Sequence, residues 1–231
     1  MSENSFGFGL DRVDHALVEA LRQALENVMP DIMSDNNFLE RNGFGQFRWN
    51  AIIAQLRDIC NHLGWLDFGT CKRGGWKTPV LFYPVDRYIF TFMTEATLRS
   101  VQHRKDKGTH YLCGGASYNV DVHPASKQLE MDLLPPVRGA EHWIAKSREQ
   151  LAAAVNLDVG EINGHILVVF DENNDKLISV RAVRLTKDLE ISTEEEDWTR
   201  YIRMPYITDQ AIEPQLDSDD EDEMLVELLN E

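Results

Sequence analysis

The chain has 231 residues and a formal net charge of −16, from 39 acidic and 23 basic side chains. This length predicts one large domain, and a hydrophobic fraction of 43% is enough to build a core. The acidic balance argues against non-specific binding of nucleic acid by the whole surface, and it favours a basic protein partner or imitation of a nucleic acid.

Two amphipathic helices are predicted in the first third of the chain. Asp11 caps the first, which runs to about Met29, because apolar residues recur at spacings of three and four. Pro30 ends this helix or starts a further turn. The second helix covers residues 46–63, and Gly64 follows it where a helix end favours a positive φ. Its apolar stripe consists of Ile52, Ile53, Leu56, Ile59, Cys60 and Leu63.

Two β-hairpins are predicted further along the chain. Residues 80–83 and 88–93 form the first, joined by a turn, and residues 164–170 and 176–185 form the second. In the last of these strands polar residues partly alternate with apolar ones, which predicts a face open to solvent or to a ligand. These polar residues are Lys176, Ser179, Arg181 and Arg184.

Shorter helical segments separate the two hairpins. Thr94 caps a short helix that ends near His103, and residues 141–155 form a longer helix. Residues 110–121 are ambiguous between strand and helix. Since there is no regular alternation of strand and helix, the pattern predicts an α+β fold. In this fold the N-terminal helices pack on a mostly antiparallel sheet built from the two hairpins.

The acidity of the chain is concentrated in its C-terminal region. From Lys187 onward there are 16 acids and 3 bases, a net charge of −13, whereas residues 1–186 have a net charge of only −3. Residues 198–207 are expected to pack on the body. We therefore predict a single α+β domain over residues 1–208 and an acidic, mobile tail over residues 209–231.

The tail is the main candidate for partner binding. Its apolar residues have the spacing of one helical face, and acids before them favour the helix dipole, so the tail is suited to fold on a groove with a basic rim. The alternatives are a solvated tail that only maintains solubility, or a tail that covers the protein's own basic loops. The predicted contact residues are Asp217, Asp219, Asp220, Glu221, Asp222, Glu223, Met224, Leu225, Leu228 and Leu229.

Two basic loops are the candidates for binding a polyanion. Bases, glycines and an aromatic residue together are suited to hold phosphate and to stack a nucleobase, although the Gly-Gly-Trp-Lys sequence matches no phosphate-binding loop motif. A solvated hairpin loop is the simpler interpretation, and direct binding of nucleic acid is not the favoured one. The residues concerned are Lys72, Arg73, Trp76, Lys77, Arg104 and Lys105.

No motif indicates a metal, a cofactor or a catalytic residue. Asp121 and His123 would share one face of a strand, but no paired metal-ligand motif accompanies them. Cys113, three residues after His110, is better explained as a small apolar filler. A metal-dependent nuclease needs two or more acidic side chains close together to hold its metal. The available acids have a spacing that fits no known motif: Asp86, Glu95, Asp121, Glu130 and Asp132.

The number of cysteines and the lengths of the apolar segments indicate the cellular compartment. Cys60, Cys71 and Cys113 are odd in number and widely spaced, which argues against a disulfide framework and favours a reducing compartment. No run of 18 apolar residues occurs, so no membrane span is expected. The first residues lack a basic region followed by an apolar stretch. These features predict a cytoplasmic protein.

The favoured function is that of a soluble intracellular binding or inhibitory protein. An antitoxin, immunity protein or anti-defence inhibitor of this kind would engage a basic partner surface through its acidic C-terminal region, with possible help from the Glu194–Asp197 patch. The alternative is a nucleic-acid-acting enzyme, similar to a metal-dependent nuclease, whose basic loops are masked by the tail. A third hypothesis is a structural subunit.

Overall fold

The computed structural model describes residues 11–36, 43–73, 75–125 and 140–203. The predicted acidic tail lies outside these ranges. Six α-helices are present in the described residues, together with short 3₁₀ turns at Lys107–Thr109, Val159–Glu161 and Thr199–Arg203. The helices are α1 (Asp11–Arg22), α2 (Met29–Asn36), α3 (Phe44–Leu63), α4 (Glu95–Gln102), α5 (Tyr111–Ala116) and α6 (Ala140–Ala154).

The first helix is longer than predicted, because a π-helical segment (Gln23–Val28) joins α1 to α2. Pro30 is the second residue of α2, and its ring nitrogen has no hydrogen to donate to the preceding wider turn. Of the two roles predicted for Pro30, it takes the second and starts a further turn. The ambiguous segment 110–121 contains a short buried helix, α5, which His110 caps by accepting a hydrogen bond from the backbone N–H of Leu112.

The six strands form one sheet, in the order in which they occur along the chain. All neighbouring strands are antiparallel except β3 and β4, which are parallel. The predicted hairpins are confirmed as β2–β3 and β4–β5, and the fold is α+β as predicted. The strands are β1 (Asp67–Arg73), β2 (Trp76–Tyr83), β3 (Tyr88–Thr94), β4 (Gly164–Asn173), β5 (Lys176–Leu185) and β6 (Ile191–Asp197).

Helices cover both faces of the sheet. Helices α1 and α3 pack on one face together with Trp198 and Tyr201, while α4, α5 and α6 pack on the other. The central strand β4 is therefore buried on both sides, which explains its continuous apolar run, Ile166–Phe170. None of the helices in the described ranges is long and apolar enough to cross a membrane.

Of the polar residues of β5, Lys176 is exposed and Ser179 is half-buried, but Arg181 and Arg184 do not belong to the open face that their spacing predicts. Arg184 is only 9% exposed, and its Nη1 lies 2.5 Å from Glu194 Oε2. Arg181 is half-buried and contacts Glu195 at 2.5 Å and Glu95 at 2.7 Å. The prediction was wrong for the two arginines because helices cover this sheet on both faces, and the arginines enter the interior with carboxylate partners.

The strand β6 was not predicted, since the acids of Glu194–Asp197 indicate an exposed surface segment. Its glutamates are balanced by bases of the body: Glu194 by Arg184, Glu195 by Arg181, and Glu196 by Arg200 at 4.0 Å. Residues 121–125 run along its outer edge, where the backbone of His123 accepts a hydrogen bond from Thr193 at 3.3 Å. This edge of the sheet is therefore covered.

Candidate binding cleft between the second and third strands

The sheet divides at the end where β3 and β4 terminate. Strand β2 pairs with β3 only as far as Val80 and Thr91. Beyond that point β2 stays paired with β1 up to Trp76, while β3 stays paired with β4 up to Thr94. Pro79 occupies the position where the pairing stops, and it has no N–H to give to a ladder. The two halves of the sheet therefore leave a cleft between them.

This cleft has a volume of about 460 Å³, within the range of about 300–1,000 Å³ that is usual for small-ligand sites. It opens at the carboxyl end of the parallel pair β3–β4, the position where open sheets commonly bind ligands. Its walls come from both faces of the sheet and from the start of α5. The lining residues are Trp49, Trp76, Lys77, Thr78, Phe92, Met93, Thr97, Thr109, His110 and Tyr111.

Aromatic side chains dominate the walls of the cleft. Trp76 is 52% exposed although it is one of the largest apolar side chains in the described residues. Leaving half of an indole in water forgoes roughly 2 kcal/mol of burial. Trp49 packs against Phe170 in an edge-to-face contact, with the two ring centroids 6.0 Å apart. The cleft therefore has one fixed indole and one available indole.

Lys77 of the lining has a second lysine beside it, Lys72. Lys72 and Lys77 are directly opposite in the antiparallel pair β1–β2, so their side chains share one face of the sheet. Both are exposed, and no acid among the described residues forms an ion pair with either. Like charges placed opposite each other repel. An anion bound between them would relieve this repulsion.

The hydroxyls of Thr78, Thr97 and Thr109 and the ring of His110 supply the polar part of the lining. His110 Nδ1 accepts from the backbone N–H of Leu112 at 3.3 Å, so in the neutral ring Nε2 carries the hydrogen. Gly114 and Gly115 allow α5 to pack closely on β4 and α6. A Cβ on Gly115 would lie 2.7 Å from His165 Nδ1, and a Cβ on Gly114 would meet Ser147 of α6.

The structure places the predicted polyanion-binding residues in different surroundings. Trp76 and Lys77 line the cleft, Lys72 is beside them, and the side chain of Arg73 lies outside the described residues. Arg104 instead forms two hydrogen bonds with Asp106, at 2.9 and 2.7 Å. Lys105 is exposed and is not part of the lining. The second loop reaches the cleft only through Thr109, His110 and Tyr111, which follow it.

Trp49, the threonines and Tyr111 were not foreseen as site residues. They come from separate elements, and only the parallel pairing of β3 with β4 and the packing of α3 and α5 bring them together. One signal was available in the sequence: Pro79 stands inside an otherwise regular strand, which marks the end of a hydrogen-bonded ladder.

The other candidate clusters remain dispersed. Asp121 and His123 are exposed on the segment beside β6, and no group of three or more potential metal ligands occurs in the described ranges. Asp86 lies in the turn before β3, and Glu95 is held by Arg181 and Arg99. The positions of Glu130 and Asp132 lie outside the described residues. No carboxylate is among the described residues that line the cleft.

The three thiols are free and buried. Burial raises the pKa of Cys60 to about 12 and that of Cys113 to about 11. Cys113 Sγ donates to the backbone oxygen of Lys107 at 3.2 Å and packs in the apolar cluster of α5. The interpretation of Cys113 as a core residue agrees with this position, because a buried thiol with a raised pKa is a poor nucleophile.

We expect the native protein to react slowly with a thiol reagent at pH 8, because the thiols are buried and Cys60 and Cys113 stay protonated. In denaturant all three should react rapidly. The number of protein thiols that have reacted is measured against time, with and without guanidinium. Rapid reaction of any thiol in the native protein would contradict its buried position.

Glu95 is the centre of an ion-pair network that ties α4 to β5 and β6. Burial raises the pKa of Glu95, but hydrogen bonds from Arg181 and Arg99 outweigh burial, so its pKa lies below the ordinary value of 4.5. A carboxylate of this kind stabilises the fold fully above about pH 4.5, and the stabilisation is lost as pH falls through the lower, folded-state pKa.

The variant Glu95→Gln is therefore expected to lose about 1 kcal/mol of unfolding free energy at pH 7, since the pair is partly screened by solvent. The loss should be smaller at pH 3 than at pH 7, because protonation of Glu95 at low pH weakens its pairing in the unmodified protein as well. Urea unfolding at the two pH values measures this difference, and Glu149→Gln, an exposed acid of α6, is the matched control. An equal loss at both pH values would show that the charge is not responsible.

The fold and the cleft define an α+β protein with a ligand-sized opening at the carboxyl end of a parallel strand pair. The chain belongs to a family described as a family of unknown function (DUF5986), whose model matches residues 10–229. This match runs from the first helix through most of the acidic tail. No curated protein and no solved structure gives a significant match to the chain.

Proposed function

We propose that this protein is a soluble intracellular binding or inhibitory protein that engages a basic surface of a partner protein through its acidic C-terminal region. An antitoxin, an immunity protein or an anti-defence inhibitor would work in this way. The targets of such proteins often have basic sites for nucleic acid, and an acidic segment can occupy them in place of the nucleic acid.

The observation that carries the proposal is where the negative charge of the chain lies. Residues 209–231 contain ten acids and no base. In the body, by contrast, the acids of β6 are already engaged: Glu194 and Glu195 contact buried or half-buried arginines. The charge available to a basic partner is therefore concentrated in the tail rather than shared with the Glu194–Asp197 patch.

The extent of the family match supports a role for the tail. The family model continues to residue 229, so the matched region contains Met224, Leu225, Leu228 and Leu229. A tail used only for solubility needs acids but no particular apolar positions. Apolar residues at helical spacing behind an acidic run suit a segment that folds on a groove with a basic rim.

The test compares three forms purified from the native cell: the full chain, a chain ending at Asp209, and a full chain with acids 217–223 changed to amides. A basic protein should be retained by the full chain only. A fourth form, Leu225→Ala/Leu228→Ala, separates the apolar anchors from the charge. If all four forms retain the same partners equally, the binding surface lies on the body and the tail mechanism is wrong.

A second candidate is the nucleic-acid-acting enzyme whose basic loops are masked by the tail. One observation favours it: Trp76 and Lys77 of the first basic loop both line the cleft. In this case truncation at Asp209 should raise the affinity for nucleic acid. The gain should fall with added salt and disappear in Lys72→Ala/Lys77→Ala. Unchanged affinity after truncation would remove this candidate.

A further inference from the structure

We infer that the cleft between β2 and β3 binds a nucleoside phosphate, with its base against Trp76 and its phosphate beside Lys72 and Lys77. The inference goes beyond tail-mediated binding, because it concerns only the described body. It would supply a ligand class for the second candidate function.

Two tryptophans line the cleft, Trp76 from β2 and Trp49 from α3. Trp76 follows the turn from β1, and half of its surface is exposed at the mouth of the cleft. Trp49 enters from α3 and is fixed by Phe170. The exposed indole of Trp76 offers a flat apolar surface to a flat ring, and stacking of nucleobases on aromatic side chains tolerates any base.

The lysine pair places two positive charges together on one face of the sheet. The chain carries a net charge of −16, yet Lys72 and Lys77 lie opposite each other without an acid partner among the described residues. The arginines of the interior, such as Arg181 and Arg184, have carboxylate partners. A local positive site on an acidic protein selects for an anion.

Lys77 is the lysine of the lining, and no carboxylate is among the described residues that line the cleft. The lysine pair therefore attracts the phosphate of the ligand. The lining also contains the hydroxyls of Thr78, Thr97 and Thr109 and the ring of His110, polar groups that suit a sugar and a base edge. The volume of about 460 Å³ suits a ligand of this size.

Calorimetric titration of the full chain tests the inference, with adenosine 5′-monophosphate, adenosine and inorganic phosphate as probes. We expect the monophosphate to bind, adenosine to bind about tenfold more weakly, and phosphate alone not to saturate. Trp76→Ala and Lys72→Ala/Lys77→Ala should each weaken binding of the monophosphate by about tenfold or more. Because all three side chains are exposed, the melting temperature should stay unchanged.

Matched controls are available on the same chain. Trp143 is 48% exposed on α6, and Trp143→Ala should leave the affinity unchanged. Lys176→Ala/Lys187→Ala removes the same amount of positive charge from exposed positions outside the cleft. If either control weakens binding as much as the cleft variants do, the effect is not local and the inference fails.

A 5′-phosphorylated single-stranded oligonucleotide distinguishes the source of the ligand. Tighter binding of the oligonucleotide than of the mononucleotide indicates a nucleic-acid end, and the reverse indicates a free nucleotide; both support the site if Trp76→Ala abolishes them. The titrations are repeated with the chain ending at Asp209, so that a competing tail cannot hide the site. Absence of nucleotide binding in both forms, or binding that survives Trp76→Ala, overturns the inference, whatever the tail experiment shows.

Discussion

Replacing Trp198 by Ala should lower the free energy of unfolding by about 3–5 kcal/mol, the usual cost of removing a large buried aromatic side chain. Trp198 is 0% exposed and packs in the cluster formed by α1, α3 and the sheet. Its backbone N–H donates to Val180 at 2.9 Å, which ties the segment after β6 to β5. Urea unfolding at pH 7, followed by circular dichroism, measures the loss.

Trp143→Ala is the control for this prediction. Trp143 is half-exposed on α6, where the ammonium group of Lys146 lies 5.3 Å from the centre of its ring. Removing it should change the free energy of unfolding by less than about 1 kcal/mol. Similar losses in the two variants would mean that Trp198 is not part of the core, and that residues 198–203 do not close the face covered by α1.

Asn119→Ala is expected to cost about 3 kcal/mol, although the residue is small and polar. Its amide nitrogen donates to the backbone oxygens of His165 and Leu185 at 3.0 and 3.1 Å, and its Oδ1 accepts from the N–H of His165 at 2.8 Å. The alanine variant leaves these buried groups without Asn119, and each such group costs about 1–3 kcal/mol. Thermal and urea unfolding both report this loss.

Two further variants separate hydrogen bonding from simple truncation. Asn119→Asp retains the oxygen that accepts from His165 but loses both donors, so it should still be strongly destabilising at pH 7. Asn163→Ala removes an exposed amide that donates once, to Asp86 at 3.2 Å, and should cost less than about 1 kcal/mol. Equal effects of Asn119→Ala and Asn163→Ala would contradict the role assigned to Asn119.

The local sequence pattern was sufficient to predict the helices and strands that bury one continuous apolar surface. The apolar stripe of α3 and the β-branched runs of β2 to β5 predict their own type and approximate position, because burial acts on them directly. Strand β6 escaped prediction because four consecutive acids have low strand propensity. Its stability depends on Arg181 and Arg184 from the neighbouring strand, which only the register brings to it.

Strand β1 escaped prediction for a different reason. It contains Gly69, which weakens a strand in isolation, yet a Cβ at this position would collide with the backbone oxygen of Ala154 in α6. The glycine is required by a contact with a helix about 85 residues later in the sequence. Contacts over such a distance leave no local periodicity.

The candidate site was partly predictable. Lys72, Trp76 and Lys77 were identified from composition alone, because bases, glycines and an aromatic residue in a short loop suggest anion binding. The rest of the cleft depends on where β2 separates from β3, and this separation is a property of pairing rather than of any single residue. The predicted contact residues of the tail remain a prediction, since they lie outside the described residues.

The parallel junction between β3 and β4 has a consequence for the kinetics of folding. Strands β1–β3 and β4–β6 form two meanders whose contacts are mostly local, whereas Thr91 and His165, hydrogen-bonded across the junction at 2.8 Å, are 74 residues apart. Closing a loop of this length costs entropy before any contact repays it. Assembly of the two halves should therefore limit the folding rate, and the cleft, which depends on the same junction, should form only in that late step.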